Sequence, residues 1–131
     1  MPAGAESVAV RPLANRTTDA EAGALLAAAL RDELARRGAA GGDGAPARIE
    51  GTVIESSGAL TSPDGSTWSL TLEAEVRLLA GERILGEVRV RRQEDYLGEV
   101  DALATEGRRR AAARRAAEAA AREILERLEQ P

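Results

Sequence analysis

Hydrophobic and polar residues alternate one by one along three segments in the middle of the chain, and this period of two predicts β-strands. Such alternation indicates a sheet with one buried and one solvated face. Sequences typical of turns separate the segments, so consecutive strands are predicted to pair as an antiparallel meander. The strands are Ala47–Ser57, Trp68–Leu79 and Arg83–Arg91, with Ile84, Val88 and Val90 on the buried face, and the turns are Ser62–Gly65 and Ala80–Glu82.

The N-terminal region predicts a short strand, a polar turn and the start of a helix. The strand covers Ser7–Arg11 and ends at Pro12, which has no N–H to donate. Asn15–Thr17 is predicted to be a structural turn in which the asparagine bonds its own backbone, with an exposed recognition loop as the alternative. Thr18 and Glu21 have the spacing of a capping box, which predicts that Thr18 is the N-cap of the helix.

Apolar residues spaced three or four apart predict two helices with one apolar face each. The first is predicted to end at Gly38, which can take the left-handed conformation that closes a helix. The second is predicted to begin between Asp101 and Arg108 and to end near Glu129. The apolar face contains Leu26, Leu30 and Leu34 in the first helix and Ala113, Ala117, Ala120, Ala121, Ile124 and Leu128 in the second.

The order of these elements is β-α-β-β-β-α, with a glycine- and alanine-rich linker over Ala39–Ala45. A four-stranded sheet with one apolar face needs a cover, and two one-sided helices can supply it. The sequence therefore predicts an α+β fold, a two-layer sandwich with both helices on one face of the sheet. At 131 residues, the chain is predicted to form a single domain over residues 1–131.

Composition narrows the classes of function. All cationic side chains are arginine, and the sequence contains no lysine, histidine or cysteine. The formal net charge of −4 argues against a general nucleic-acid-binding protein. No apolar run approaches the roughly 20 residues that span a bilayer.

The polar side chains of the sequence include few candidates for catalysis. Neither a histidine base nor a cysteine nucleophile is present, and no group of residues has metal-ligand spacing, so we expect no metal, cofactor or enzyme activity. Glu73 and Glu75 share one strand face about 7 Å apart. They are interpreted as solvated residues, with carboxylate chemistry of a hydrolase as the weaker alternative.

Several landmarks occur in an order that resembles the LptE family of lipopolysaccharide-assembly lipoproteins. They are the strand Val8–Val10, the turn Asn15–Thr17, the helix end Leu34–Gly38, the strands Ile49–Val53 and Leu72–Leu78, and the closing helix Arg114–Leu128. The resemblance covers nearly the whole chain, from Ser7 to Leu128. A second family, the lipoprotein activators of penicillin-binding proteins with TolB-like domains, shares the opening strand, turn and helix. Those proteins usually continue with further strand-helix alternation, whereas this chain has a meander.

The resemblance implies a non-enzymatic lipoprotein at the periplasmic face of the outer membrane. LptE-family members plug the β-barrel protein LptD and assist delivery of lipopolysaccharide to the outer leaflet. The partners implied are therefore an LptD-like barrel and lipopolysaccharide. The family attaches to the membrane through a lipid-modified cysteine, which this sequence lacks, and we expect it shortly before Pro2, after a signal segment.

Two groups of residues are candidates for binding. The connection Gly58–Thr67 is predicted to project from the sheet, and in LptE-like proteins this hairpin reaches into the barrel lumen. Its candidate partner-binding residues are Leu60, Thr61, Ser62, Pro63, Asp64 and Trp68.

Arginine has a planar fork that suits phosphate, so two arginine sets are candidates for contact with an anion such as lipopolysaccharide. These sets are Arg77, Arg89 and Arg91 on the solvated sheet face, with cross-strand ion pairing as the alternative, and Arg108, Arg109 and Arg110 on the last helix, with a merely solvated helix face as the alternative.

Overall fold

Five strands and two helices make up the structure, a computed structural model that describes residues 1–130. In chain order they are β1 (Val8–Val10), β2 (Ala14–Asn15), α1 (Ala22–Arg36), β3 (Ala47–Leu60), β4 (Thr67–Ala80), β5 (Arg83–Leu97) and α2 (Ala102–Glu129). Both helices pack against the same side of one sheet and against each other. The predicted α+β class and two-layer arrangement are confirmed.

The sheet has the spatial order β1-β3-β4-β5, and β2 also pairs with β3. β3, β4 and β5 form the predicted antiparallel meander. β1 and β2 run parallel to β3, because α1 carries the chain back from one end of the sheet to the other.

β1 ends at Val10, before Pro12, in line with the prediction, but the chain pairs with β3 again beyond the proline as β2. The Arg11 N–H donates to the Ile49 carbonyl at 3.0 Å, and the Arg16 N–H donates to the Val53 carbonyl at 2.9 Å. Asn15, which was predicted to lie in a turn, pairs with Val53 in β2. Proline removes one ladder bond, but the residues on either side of it still find partners on β3.

The core lies between the helices and one sheet face. Its fully buried residues come from every long element, and they include Leu26, Leu30, Ile49, Leu70, Leu78, Ile124 and Leu125. Helix α2 contributes mainly alanines, several of which have no exposed surface, such as Ala116 and Ala120. Because alanine side chains are short, α2 approaches β4 and β5 closely while its polar face remains in solvent.

Helix α1 begins later than predicted, and the capping box does not form. Its N-cap is Glu21, which makes no side-chain cap bond. Instead, Asp19 Oδ1 accepts a hydrogen bond from the Glu21 N–H, and the Thr17 hydroxyl oxygen accepts one from the Asp19 N–H, each at 3.1 Å. The preceding turn therefore organises the helix start. The C-terminus is as predicted, with Gly38 at φ +71°.

Strand β5 differs from its prediction at both ends. Its first part contains a register irregularity opposite Leu78 and Leu79, which leaves Ile84 opposite Leu79. Ile84 is consequently 49% exposed, so its assignment to the buried face was wrong. At the other end, β5 continues to Leu97 and pairs with β4 as far as Thr67.

Close packing of α2 can be tested by enlarging one buried alanine. We expect Ala120→Leu to lower the free energy of unfolding by about 1–3 kcal/mol, because the added methyl groups have no room against the sheet. Gly107→Ala is the matched control on the same helix. A Cβ at Gly107 would have no neighbour within 4 Å, so we expect it to raise that free energy by roughly 0.5–1 kcal/mol. Urea denaturation followed by circular dichroism measures both values, and an Ala120→Leu variant as stable as the parent would contradict the packing.

Candidate binding surfaces

The connection between β3 and β4 is shorter than predicted. Gly58, Ala59 and Leu60 belong to β3, and Thr67 and Trp68 belong to β4, so only Thr61–Ser66 forms the loop. The two strands stay paired as far as Leu60 opposite Trp68. No strand was predicted at Gly58–Leu60 or at Thr67, because glycine, alanine and threonine weaken the alternation there.

The loop Thr61–Ser66 is held by its own side chains. Asp64 Oδ1 accepts hydrogen bonds from the Ser62 hydroxyl at 2.8 Å and from the Ser66 hydroxyl and N–H at 2.6 and 3.0 Å. The Ser62 hydroxyl oxygen accepts from the Ser66 and Thr67 N–H groups. Gly65 completes the turn at φ +75°, where a side chain would be strained. The hydrogen bonds from Ser66 and Ser62 lower the pKa of Asp64 to about 2.

A stacked aromatic pair supports the base of the loop. Trp68 and Tyr96 lie opposite each other on β4 and β5, with ring centroids 6.2 Å apart and an interplanar angle of 14°. The Gly98 N–H donates to the Ser66 carbonyl at 2.8 Å. A Cβ at Gly98 would lie 3.1 Å from Trp68 Nε1, so the chain after β5 packs tightly against the indole. Trp68 therefore braces the loop from the helix-covered side and does not project from it.

Exposed apolar residues gather at the same end of the molecule. Four of the five large hydrophobic residues exposed in the described chain are Leu60 at 53%, Leu97 at 55%, Val100 at 108% and Leu103 at 83%. We call the loop Thr61–Ser66 together with these four residues the tip. Leu97, Val100 and Leu103 were not among the predicted binding residues, because they lie between the last predicted strand, which ends at Arg91, and the predicted apolar stripe of the last helix, which begins at Ala113. Contiguous exposed apolar patches are typical of surfaces that meet a partner or a lipid, which makes the tip a candidate binding surface.

The structure separates the two candidate arginine sets. Arg77, Arg89 and Arg91 lie on the open sheet face, where each is within ion-pair distance of a carboxylate. Arg89 lies 2.6 Å from Glu73 and 2.8 Å from Glu75, which places one guanidinium between the two carboxylates considered as a catalytic pair. The other two pairs are Arg77–Glu50 and Arg91–Glu73, both at 3.8 Å.

The second arginine set lies on the helix side of the molecule, in the second and third turns of α2. Arg108 is 2.7 Å from Glu99, and Arg110 is 3.5 Å from Glu106. Arg109 is less exposed and is 3.5 Å from the Asp19 carboxylate. Arg108 and Arg110 are half-exposed or more, so these two remain accessible beside the tip.

Asp19 joins three elements that are far apart in sequence. Its Oδ2 accepts a hydrogen bond from the buried Ser56 hydroxyl at 2.9 Å and also faces Arg109 of α2. Its carbonyl accepts from Asn15 Nδ2 at 2.7 Å, and Asn15 Oδ1 accepts from the Thr17 N–H and hydroxyl. Asn15 thus has the structural role proposed for the turn, and its bonds connect the turn to β3 and α2 through Asp19.

A groove of about 940 Å³ lies on the open sheet face. Its charged lining residues are Arg11, Glu50, Glu75, Arg77, Glu87 and Arg89, so cations and anions are present in equal number. The hydrogen bond from Arg48 lowers the pKa of Glu50, which therefore stays ionised. A groove with compensated charge does not select for an anion. Residues 1–130 contain no group of three or more His, Cys, Asp or Glu side chains placed to hold a metal ion.

The two-layer fold is shared by bacterial lipoproteins of known structure. A lipoprotein from Caulobacter crescentus superposes with a TM-score of 0.72 at 22% identity, covering 95% of this chain and 89% of that one. Rare lipoprotein B from Shewanella oneidensis gives 0.63 at 20% identity, covering 88% and 92%. A minor lipoprotein from Acinetobacter baumannii gives 0.62 at 14% identity, covering 99% and 100%. At these identities the likeness establishes the fold class alone.

The family follows from a match that covers almost the whole chain. The chain belongs to the LptE family, described as lipopolysaccharide-assembly, whose model matches residues 5–128. No curated protein matches the chain significantly. The family assignment supports a role in lipopolysaccharide assembly at the outer membrane and is consistent with a protein that is not an enzyme. In residues 1–130, no helix is both long and apolar enough to cross a membrane.

Protonation of Asp64 is expected to loosen the loop. Since its pKa is lowered to about 2 from the ordinary 3.8, the bonds it accepts stabilise the loop above about pH 4 and are lost as the pH falls through 2. The amide resonance of Ser66, followed by NMR from pH 6 downward, should titrate with a midpoint well below 3.8. Asp64→Ala is the control and should abolish this titration. A midpoint at or above the ordinary value would show that the loop does not hold the carboxylate.

Proposed function

We propose that this chain is a non-catalytic subunit that occupies the lumen of an LptD-like β-barrel and assists lipopolysaccharide assembly there. The observation that carries the proposal is the LptE-family match over residues 5–128. The geometry of the tip, the charges on the open sheet face and the placement of the N-terminus support it.

The N-terminus and the tip lie at opposite ends of the sheet. Val8 pairs with Ala47 at the start of β3, and Gly4 lies beside Arg83 at the β4–β5 turn. β3 runs from there to the tip over 14 residues, which span about 45 Å at roughly 3.3 Å per residue. A bilayer with its headgroups is about 40–45 Å thick. A lipid anchor attached upstream of Met1 would hold one end at the inner leaflet, so the tip would reach the level of the outer leaflet.

The surface between these two ends suits the polar interior of a large barrel. The open sheet face carries paired arginines and carboxylates from Arg48 to Arg91, followed by small polar residues such as Ser57 and Thr71 nearer the tip. Because the charges compensate one another, this face can lie against a polar wall without leaving a large unpaired charge. The exposed apolar residues are concentrated at the tip, where we place the contact with the barrel and its lipid.

The arginines of α2 are the better candidates for an anionic lipid. Arg108 and Arg110 lie within two helical turns of the exposed Leu103, so this surface offers cationic and apolar groups side by side. A lipid A phosphate could be contacted by the guanidinium groups and an acyl chain by the aliphatic residues. On the open sheet face, Arg89 and Arg91 lie five or more positions along β5 from its exposed residue Ile84.

Bulky residues in the loop should prevent assembly with the barrel. Thr61→Trp/Pro63→Trp keeps Gly65 and the Asp64 hydrogen bonds, so we expect the fold to survive. Glu82→Trp, at the exposed turn on the opposite end, is the control. The measurement is the amount of barrel protein that co-purifies from solubilised outer membranes. We expect near-equal stoichiometry for the parent and the control, and a several-fold loss for the loop variant.

Two results would contradict the barrel proposal. One is an unchanged yield of barrel protein with a folded Thr61→Trp/Pro63→Trp variant, which would remove the loop from the interface. The other is recovery of a penicillin-binding protein instead of a barrel by the parent, which would favour the activator function considered as the alternative.

Removal of the accessible α2 arginines should weaken lipopolysaccharide binding. For Arg108→Ala/Arg110→Ala we expect a roughly tenfold loss of affinity, or about 1.4 kcal/mol, because two charge-assisted contacts are lost. Arg77→Ala/Arg91→Ala is the comparison pair and should change the affinity little. Titration with purified lipopolysaccharide, with circular dichroism to verify folding, measures both. Equal losses for both pairs would show that binding depends on overall charge and not on the α2 surface.

A further inference from the structure

β5 is a long edge strand whose outer side has no neighbouring strand. It contains 15 residues and is the last strand in the sheet order, with β4 on one side only. Within residues 1–130, no strand pairs with the N–H and C=O groups on the outer side of β5. Long, regular edges of this kind readily pair with strands of other chains, and natural proteins usually protect them.

Two arginines from α2 bond to the outer edge of β5. Arg127 Nη1 donates to the Arg89 carbonyl at 2.8 Å, and Arg115 Nη2 donates to the Asp95 carbonyl at 3.1 Å. Backbone groups alternate between the two sides of a strand, so Arg89, Arg91, Gln93 and Asp95 share this outer edge. The two bonds therefore occupy the carbonyls of the first and the last of these four residues.

The two arginines are spaced along α2 by nearly the same distance as the two carbonyls along β5. Arg115 and Arg127 are twelve positions apart, which is about 18 Å along a helix, and the two carbonyls are six positions apart, which is about 20 Å along a strand. Carboxylates hold the arginines in place: Glu94 lies 3.4 Å from Arg115, and Glu123 lies 3.4 Å from Arg127. Both side chains remain about half exposed, so they can be displaced from the edge.

The side chains along this edge are complementary to a second copy of themselves. In antiparallel pairing about Arg92, Arg89 of each copy would lie opposite Asp95 of the other, so two pairs of opposite charge form on the open face. Pairing about Arg91 would instead place Arg91 opposite Arg91 and Glu87 opposite Asp95, which are like charges. Arg92 would lie opposite Arg92 of the second copy, on the helix side of the sheet. There Glu123 of the same chain lies 3.1 Å from each Arg92 and compensates its charge.

We propose that the outer edge of β5 is a latent pairing surface for a second copy of this chain, and that Arg115 and Arg127 keep it closed. The two carbonyls that they occupy, those of Arg89 and Asp95, would be opposite each other in the charge-complementary register. As long as the arginines are bound, a second strand cannot pair there. This inference does not depend on the barrel partner.

The test removes the two arginines and measures the mass in solution. Arg115→Ala/Arg127→Ala should form a dimer at high micromolar concentration in sedimentation analysis, while the parent remains a monomer. Arg114→Ala/Arg122→Ala is the matched control, because both residues are exposed on the same helix and neither bonds to β5. We expect the control to remain a monomer. Circular dichroism verifies that every variant is folded.

A third substitution tests the register. Adding Asp95→Arg to Arg115→Ala/Arg127→Ala would place arginine opposite Arg89 in both pairs, so the dimer should dissociate to monomers. The proposal is overturned if the folded Arg115→Ala/Arg127→Ala variant is a monomer, if the parent or the matched control also forms dimers, or if Asp95→Arg leaves the dimer unchanged.

Discussion

Three strands of 14 or 15 residues bury only one of their faces, and the rest of the structure depends on how that face is covered. Helix α2 lies along β4 and β5 and presents alanines to them, which brings the helix backbone close to the sheet. Helix α1 covers the β1–β3 side and packs against α2. This close approach also sets the reach of the α2 side chains, so that arginines can reach the edge of β5 and Asp19.

The open sheet face and the tip differ in the kind of residue that they expose. On the open sheet face, guanidinium and carboxylate groups alternate across neighbouring strands, and exposed pairs of this kind contribute little to stability, well under about 1 kcal/mol each. Their main effect is to leave the face polar and nearly neutral. The tip combines a loop held by Asp64 and Ser62 with exposed aliphatic residues, so the two surfaces suit different neighbours.

Local patterns predicted the layers of this fold because its strands and helices have regular periods. The alternation from Leu70 to Leu78 and the apolar stripe ending at Leu128 identified the buried faces correctly. Predictions failed where a neighbour overrode the local pattern. The register irregularity at Leu78 exposes Ile84, and pairing with β3 places Asn15, which was predicted to lie in a turn, in the strand β2. The candidate loop was located, but its length was overestimated because small polar residues give no strand signal.

The sequence by itself determined the order of the elements, the α+β class, the position of the loop and the resemblance to the LptE family, since each depends on residues close together along the chain. The tertiary structure alone decided which distant residues meet. It placed Arg108 and Arg110 beside the exposed Leu103, put Arg77 and Arg91 on the opposite face, and joined Asp19 to Ser56 and Arg109. The physical reason is that strand register and the position of a helix over a sheet are set by packing between elements that are distant in sequence.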